Sequence, residues 1–272
     1  MPCALVLAFA GCGQVAGWAD AYRLVDLGTL SDGPAETRFS FATDIDDRGW
    51  VTGYSGTAAG DTHAFLFDGT LRDLGTLGGT TSIAYGFSPS GAVVGHSTIA
   101  SGLLHKFSYD GVMHDLGPVG NTIGLLLARA AGLTAVGGEA DAQGQLTAYL
   151  DDGTRQSLGT LGGRSSYALG LNADGAVVGF AETGTGDQHA FLYAEGALTD
   201  LNTPAVSATG WILRSAKSIN DSGQIVGFGT YRDQSRAFLL EPTAPEAGTI
   251  AGAIATALAV GAAWWRRRGR PA

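Results

Sequence analysis

Cysteine is almost missing from this 272-residue chain: its two cysteines, Cys3 and Cys12, both fall within the first dozen residues. No disulfide framework can therefore be read into the rest. A basic stripe is missing as well. Formal net charge is −9, and four of the sixteen Lys and Arg residues crowd at the end as Arg266, Arg267, Arg268 and Arg270. So acidic a remainder argues against nucleic acid and anionic lipid headgroups as partners. Catalytic motifs are absent too: there is no G-x-S-x-G elbow, no H-E-x-x-H, no P-loop and no C-x-x-C. Between residues 22 and 241 no run makes a convincing globular helix except Leu125–Ala131 (LLLARAA), which reads as helical by itself.

What is present is a repeat. Glycine, at 43 residues, is over twice its usual share, and it follows a long period rather than a three-residue one. The Leu of a "DLG" element recurs at Leu27, Leu74, Leu116, Leu158 and Leu201. The Gly closing a "VVG" element recurs at Gly53, Gly95, Gly137, Gly179 and Gly227, and the aromatic of "HAF" at Phe65, Phe107, Tyr149, Phe191 and Phe238. Most of these spacings are 42 residues, so the chain holds five units.

Each unit divides into four short apolar runs separated by Gly, Asp, Asn and Ser. In the second these are Leu71–Leu77, Thr81–Phe87, Ala92–His96 and Leu104–Tyr109. The period places Leu125–Ala131 level with Thr81–Phe87, so it too is expected as a strand. Four strands per roughly 42 residues is the blade pattern of a β-propeller. The sequence thus predicts an all-β, five-bladed propeller. The N-terminal run Tyr22–Leu30 would pair with the C-terminal run Arg236–Leu240 to close it. A linear β-solenoid is the alternative. The Gly after "VV" suits a place where the next blade approaches closely.

"DLGTLGG" at Asp73–Gly79, "INDSGQIVG" at Ile219–Gly227 and "HAFLY" at His189–Tyr193 resemble the HAF-repeat family of bacterial extracellular proteins, over residues 24 to 241. The resemblance implies secretion and a repeat architecture, with no established chemistry. The third unit departs most, with Thr147-Ala148-Tyr149 in place of "HAF".

The ends read as targeting signals. Residues 1–21 resemble an export leader cut after Ala21, with a lipoprotein box acylated on Cys12 as the rival reading. Residues 22–241 form the repeat domain and 242–246 a linker. Residues 247–265 are free of charge and long enough for a transmembrane helix, and 266–272 would be a basic cytoplasmic tail. Pro245-Glu246, the apolar stretch and the arginines resemble a PEP-CTERM sorting signal, although Ala247 stands where its second proline would be. That resemblance implies an exosortase-like processing enzyme, and release to the surface or to an extracellular polysaccharide matrix.

Few side chains suggest chemistry. His63, His105 and His189 occupy equivalent places, where a strand-end residue would hydrogen-bond its turn. Asp44-Ile45-Asp46-Asp47-Arg48-Gly49 has the oxygen-rich look of a calcium loop. Its counterparts at Asn172–Gly175 and Asn220–Gly223 read better as Asx turns, and calcium stays open. Trp50 and Trp211 read as core residues. Departures from the period at Ser31–Arg38 and Ala205–Trp211 are where a partner-specific patch would sit. The expectation is a non-enzymatic exported protein without catalytic, cofactor or metal residues, binding extracellular polysaccharide multivalently. An envelope protein–protein scaffold is the alternative, and a glycosidase-type propeller enzyme the third.

Overall fold

Glycine turns cut the chain into short strands. After the first long strand of a unit, Gly49, Gly91, Gly175 and Gly223 sit at φ of 79°, 83°, 80° and 75°, a region open to glycine and strained for most other residues. The computed structural model describes residues 22–119, 135–140 and 144–243. The leader 1–21, the expected strand Leu125–Ala131, the 247–265 segment and the basic tail 266–272 lie outside the described residues.

Nineteen strands run through the described residues. The first are β1 (Tyr22–Asp26), β2 (Ser40–Ile45), β3 (Val51–Gly56), β4 (Thr62–Phe67) and β5 (Leu71–Asp73). Next come β6 (Gly78–Phe87), β7 (Val93–Ile99), β8 (Leu104–Tyr109), β9 (Met113–Pro118), β10 (Ala135–Ala140), β11 (Leu146–Asp151) and β12 (Arg155–Gly159). The last are β13 (Gly162–Leu171), β14 (Val177–Thr183), β15 (Gln188–Ala194), β16 (Ala197–Asp200), β17 (Trp211–Ile219), β18 (Ile225–Tyr231) and β19 (Gln234–Pro242). A 3-10 turn at Ala35–Thr37 and one short helix, α1 (Pro204–Ala208), complete the elements.

The fold is all-β and built from repeats, but the closed five-bladed propeller expected from the period is not what forms. The strands make four sheets: β1-β19-β18-β17, β10-β11-β12, β13-β14-β15-β16, and an eight-stranded sheet β2-β3-β4-β6-β7-β8-β9 with β5 attached to β4. None closes on itself. One reason is the shortness of β5. It pairs only with Phe65–Phe67, and Thr81 of β6 bridges in parallel to Thr62, at the uncovered end of β4. There the Ser82 hydroxyl accepts the Ala64 N–H at 2.8 Å and donates to the Gly75 carbonyl at 2.5 Å. The first two units are thereby fused. In the third unit the expected strand Leu125–Ala131 lies outside the described residues, and β10–β12 stand as a three-stranded sheet.

One further expectation changes, and another falls outside what is described. No helix among the described residues is long and apolar enough to cross a membrane, and the segment 247–265, expected as a transmembrane helix, lies outside them. The linear solenoid fails because β1 pairs antiparallel with β19, from Tyr22 opposite Pro242 to Asp26 opposite Phe238. That pairing completes one four-stranded sheet rather than sealing a ring, and Arg236 reinforces it with a 2.9 Å ion pair to Asp26.

The largest fully buried side chains among the described residues are Phe65, Phe107, Phe191 and Phe238, all at most 1% exposed. Each lies directly across its ladder from a "VVG" glycine: Gly53, Gly95, Gly179 and Gly227. A Cβ on those glycines would stand 2.0 to 2.1 Å from the carbonyl oxygen of Phe41, Ile83, Tyr167 or Ser215. It would also come within 3.0 Å of the phenylalanine ring. The crowding therefore comes from within the sheet, not from the next unit as expected. One residue beyond this contact β2, β6, β13 and β17 each slip register, leaving Thr43, Tyr85, Leu169 and Lys217 with no residue opposite. Such β-bulges bend a strand and re-aim its side chains.

Gly95→Ala is expected to cost about 3 kcal/mol or more in urea unfolding, because backbone has to move. At Gly184, whose nearest neighbour to an added Cβ is 3.7 Å away, the same change should stay within about 0.5 kcal/mol. Equal effects at the two glycines would refute the contact's importance.

Candidate functional site

The four bulges open into one space. Thr43, Tyr85, Leu169 and Lys217, from β2, β6, β13 and β17, line a cavity of about 480 Å³ together with Asp44 and Ser218. The alanine before each bulge is invariant among these units (Ala42, Ala84, Ala168 and Ala216), whereas the two positions after it read Thr-Asp, Tyr-Gly, Leu-Gly and Lys-Ser. The repeat thus builds the frame, and the bulges supply the individual chemistry.

Asp44 is held from two sides. Its Oδ1 accepts the Ser218 hydroxyl at 2.7 Å and its Oδ2 accepts the Phe87 N–H at 3.3 Å. Burial pushes its carboxyl above the ordinary aspartate range, against the lowering effect of those two hydrogen bonds. Gly86 makes room for it, since a Cβ there would lie 2.7 Å from Oδ2. Thr43 donates to the carbonyls of Thr52 and Ala84 at 3.1 and 3.0 Å, stitching β2 to β6. Lys217 places its ammonium 5.5 Å from the centre of the Phe228 ring, and burial pushes its pKa down. Among the described residues it makes no ion pair.

A second concavity, of about 540 Å³, lies where β4, β5 and the turn before β3 meet β7, β8 and the turns beside them. Trp50, Tyr109, Arg48, Asp68, Arg72 and Asp110 line it. The Arg48 guanidinium lies 4.0 Å over the indole, and Arg72 is paired with Asp68 at 2.7 Å. Planar donors, carboxylates and aromatic faces thus stand side by side in an open groove.

The equivalent histidines do not converge. His63, His105 and His189 each hold, through Nδ1, the aspartate of the neighbouring "DLG" element: Asp73 at 2.9 Å, Asp115 at 2.8 Å and Asp200 at 2.7 Å. The same aspartates accept the N–H of Gly75, Gly117 and Asn202, so each histidine clasps a turn. Arg236 does this for Asp26, while Thr147 of the third unit and Ser157 of the following "DLG" element replace both partners. Asp115 is held below the ordinary aspartate range by the Gly117 N–H first and His105 second.

The acidic turns are knitted in a similar way. Asp46 Oδ1 accepts from the Arg48 and Trp50 amides, and Asn172 and Asn220 accept from Ala176 and Gln224 at 2.9 Å. Turn is then tied to turn: Asn172 Nδ2 donates to the Asn220 carbonyl at 3.2 Å, and Asn220 Nδ2 to the Asp46 carbonyl at 3.0 Å. Asp221 and Asp47 likewise accept the Ala173 and Asp221 amides. No group of three or more His, Cys, Asp or Glu suited to a metal forms among the described residues.

Trp211 packs in the core, 4% exposed, stacked 5.3 Å from Tyr231. Trp50 divides itself between the core and the open groove. Of the two departures from the period, Ala205–Trp211 forms most of α1 and the start of β17, and Ser31–Arg38 carries the 3-10 turn. Neither lines the cavity. Sequence reasoning placed Asp44 in a turn and passed over Lys217. The signal for both was the pair of positions after the repeated alanine, where the units differ in charge.

No family model matches the chain, and no curated protein matches it. Among solved structures, one similarity is to a mutant of AofleA from Arthrobotrys oligospora, at 14% identity and a TM-score of 0.29, covering 79% of this chain and 86% of that one. Another is to a puromycin-hydrolyzing peptidase of Mycobacterium tuberculosis, at 16% identity and a TM-score of 0.25, covering 82% of this chain and 36% of that one. Likenesses this distant carry no weight for fold or activity.

The buried carboxyl of Asp44 has a pH signature. A carboxyl whose pKa is raised by folding costs nothing below its unfolded pKa and costs stability as pH rises through its folded one. Asp44→Asn keeps an acceptor for Phe87 and a partner for Ser218. It is expected to raise the melting temperature by a few degrees at about pH 7 and to change it little near pH 3. A variant that loses stability at neutral pH would contradict this reading of the site.

Proposed function

We propose that the protein is an exported, non-enzymatic binding protein for extracellular polysaccharide, and that the groove between its first two units is the principal contact. The supporting observation is the company kept there: a half-buried indole under a guanidinium, a half-buried phenol and carboxylates, side by side in one groove. Aromatic faces offer an apolar platform to a sugar ring, while Asp and Arg offer directed hydrogen bonds to its hydroxyls. The leader-like residues 1–21 and the resemblance of the repeats to extracellular proteins support export.

The multivalent form of this reading, with one site in every unit, has weaker support. At the place equivalent to Arg72 the fourth unit carries Gln156, whose amide donates to the Tyr193 hydroxyl at 2.7 Å, so the corresponding groove is already spanned. One dominant groove fits the side chains better than a set of equal ones.

A scaffold for envelope proteins is the second reading, favoured by apolar side chains exposed on and beside β8 and β9. Leu103 is 63% exposed, Val112 64% and Leu116 53%.

Co-sedimentation of the full chain with the producing cell's exopolysaccharide separates the two readings. Retention is expected to persist across a salt series, because a protein of net charge −9 gains nothing from counterion release on such a polymer. Trp50→Ala should weaken it by about tenfold, equivalent to about 1.4 kcal/mol. Failure of the folded protein to sediment would reject polysaccharide binding and favour the protein scaffold.

A further inference from the structure

The four-strand cavity is separate from the groove and calls for its own account. Its volume, about 480 Å³, falls within the range of small-molecule sites, roughly 300–1,000 Å³. Its lining mixes charge of both signs. Asp44, Asp46, Asp47 and Asp221 would repel an anion, and Lys217, Thr43 and Ser218 offer groups that pair with hydroxyls, so an uncharged, hydroxylated molecule suits it best. The hydroxyls of Thr43 and Ser218 are committed as donors yet keep lone pairs with which to accept.

Lys217 is the reactive element. It is one of the two lysines in the chain, and the bulge between Ala216 and Ser218 leaves it without a cross-strand neighbour. It has no anionic partner among the described residues, and the Phe228 ring backs it. We propose that this cavity binds a small neutral hydroxyaldehyde or hydroxyketone, held reversibly as an imine on Lys217. The lone pair of the neutral amine forms the C–N bond while the carbonyl π pair moves to oxygen. The two amine protons leave with that oxygen as one water, so amine and carbonyl become imine and water with no change of oxidation state. Burial, which lowers the pKa of Lys217, enlarges the neutral fraction from which the bond forms. Because β2, β6, β13 and β17 line this cavity, the proposal stands or falls independently of polysaccharide binding.

Two lysines make the test site-resolved. The full chain is incubated near neutral pH with dihydroxyacetone and sodium cyanoborohydride, which reduces any imine to a stable amine, and the label is located by peptide mass spectrometry. Lys217 is expected to label about tenfold faster than Lys106, which stands exposed on β8 outside the cavity, and the two rates should converge once urea unfolds the chain. Labelling of Lys217 no faster than Lys106 in the folded protein would overturn the proposal. So would an excess at Lys217 that survives unfolding, since it would then owe nothing to the cavity.

Discussion

One contact repeats through the molecule, and much else follows from it: a phenylalanine ring laid over a glycine on the neighbouring strand. With the ring on one side and the facing strand's carbonyl 2.0 to 2.1 Å from where a Cβ would be, no larger residue fits at Gly53, Gly95, Gly179 or Gly227. Burying a phenylalanine side chain contributes about 1.5–3 kcal/mol, so four such rings hold the sheets firmly. The inner strand slips register one residue past this contact. Packing, register and the cavity thus form a single causal chain.

Hydrogen bonds join the units where packing does not. Serine hydroxyls at Ser40, Ser82 and Ser166 accept the amide of a "HAF" alanine and donate to a "DLG" glycine carbonyl. The Asn172–Asn220–Asp46 relay ties three turns in succession at the other end of the inner strands. Buried side-chain amides left unpaired would cost about 1–3 kcal/mol each, so this relay fixes how the sheets sit. A cavity between them can then keep its shape without a ligand.

The sequence reading was strongest where a physical need repeats. The short strands and the turn glycines come from constraints that recur along the chain, and so do the strand-end histidines that bond their turns. What escaped it depends on single lengths and single residues. A β5 of only three residues leaves room for β6 to join β4, which turns separate units into an eight-stranded sheet. Periodicity does not report such an edge. The source of the crowding at the glycines was also beyond it, because spacing alone does not say whether a ring or a neighbouring unit fills the space. Lys217 and Asp44 were hidden for the opposite reason. The repeat draws attention to what recurs, while the cavity is built from what does not.

The central claim is that the bulge turns Lys217 into the four-strand cavity, where partial burial lowers its pKa. A side-chain nitrogen NMR titration of a chain with two lysines tests it directly, read in the wild type and in Phe238→Leu, which removes the ring from over Gly227. In the wild type the Lys217 ammonium should lose its proton below the ordinary lysine value of about 10.4, and Phe238→Leu should move it back toward that value. Titration of Lys217 in the ordinary range in the wild type, or a depressed value untouched by loss of the ring, would contradict the account.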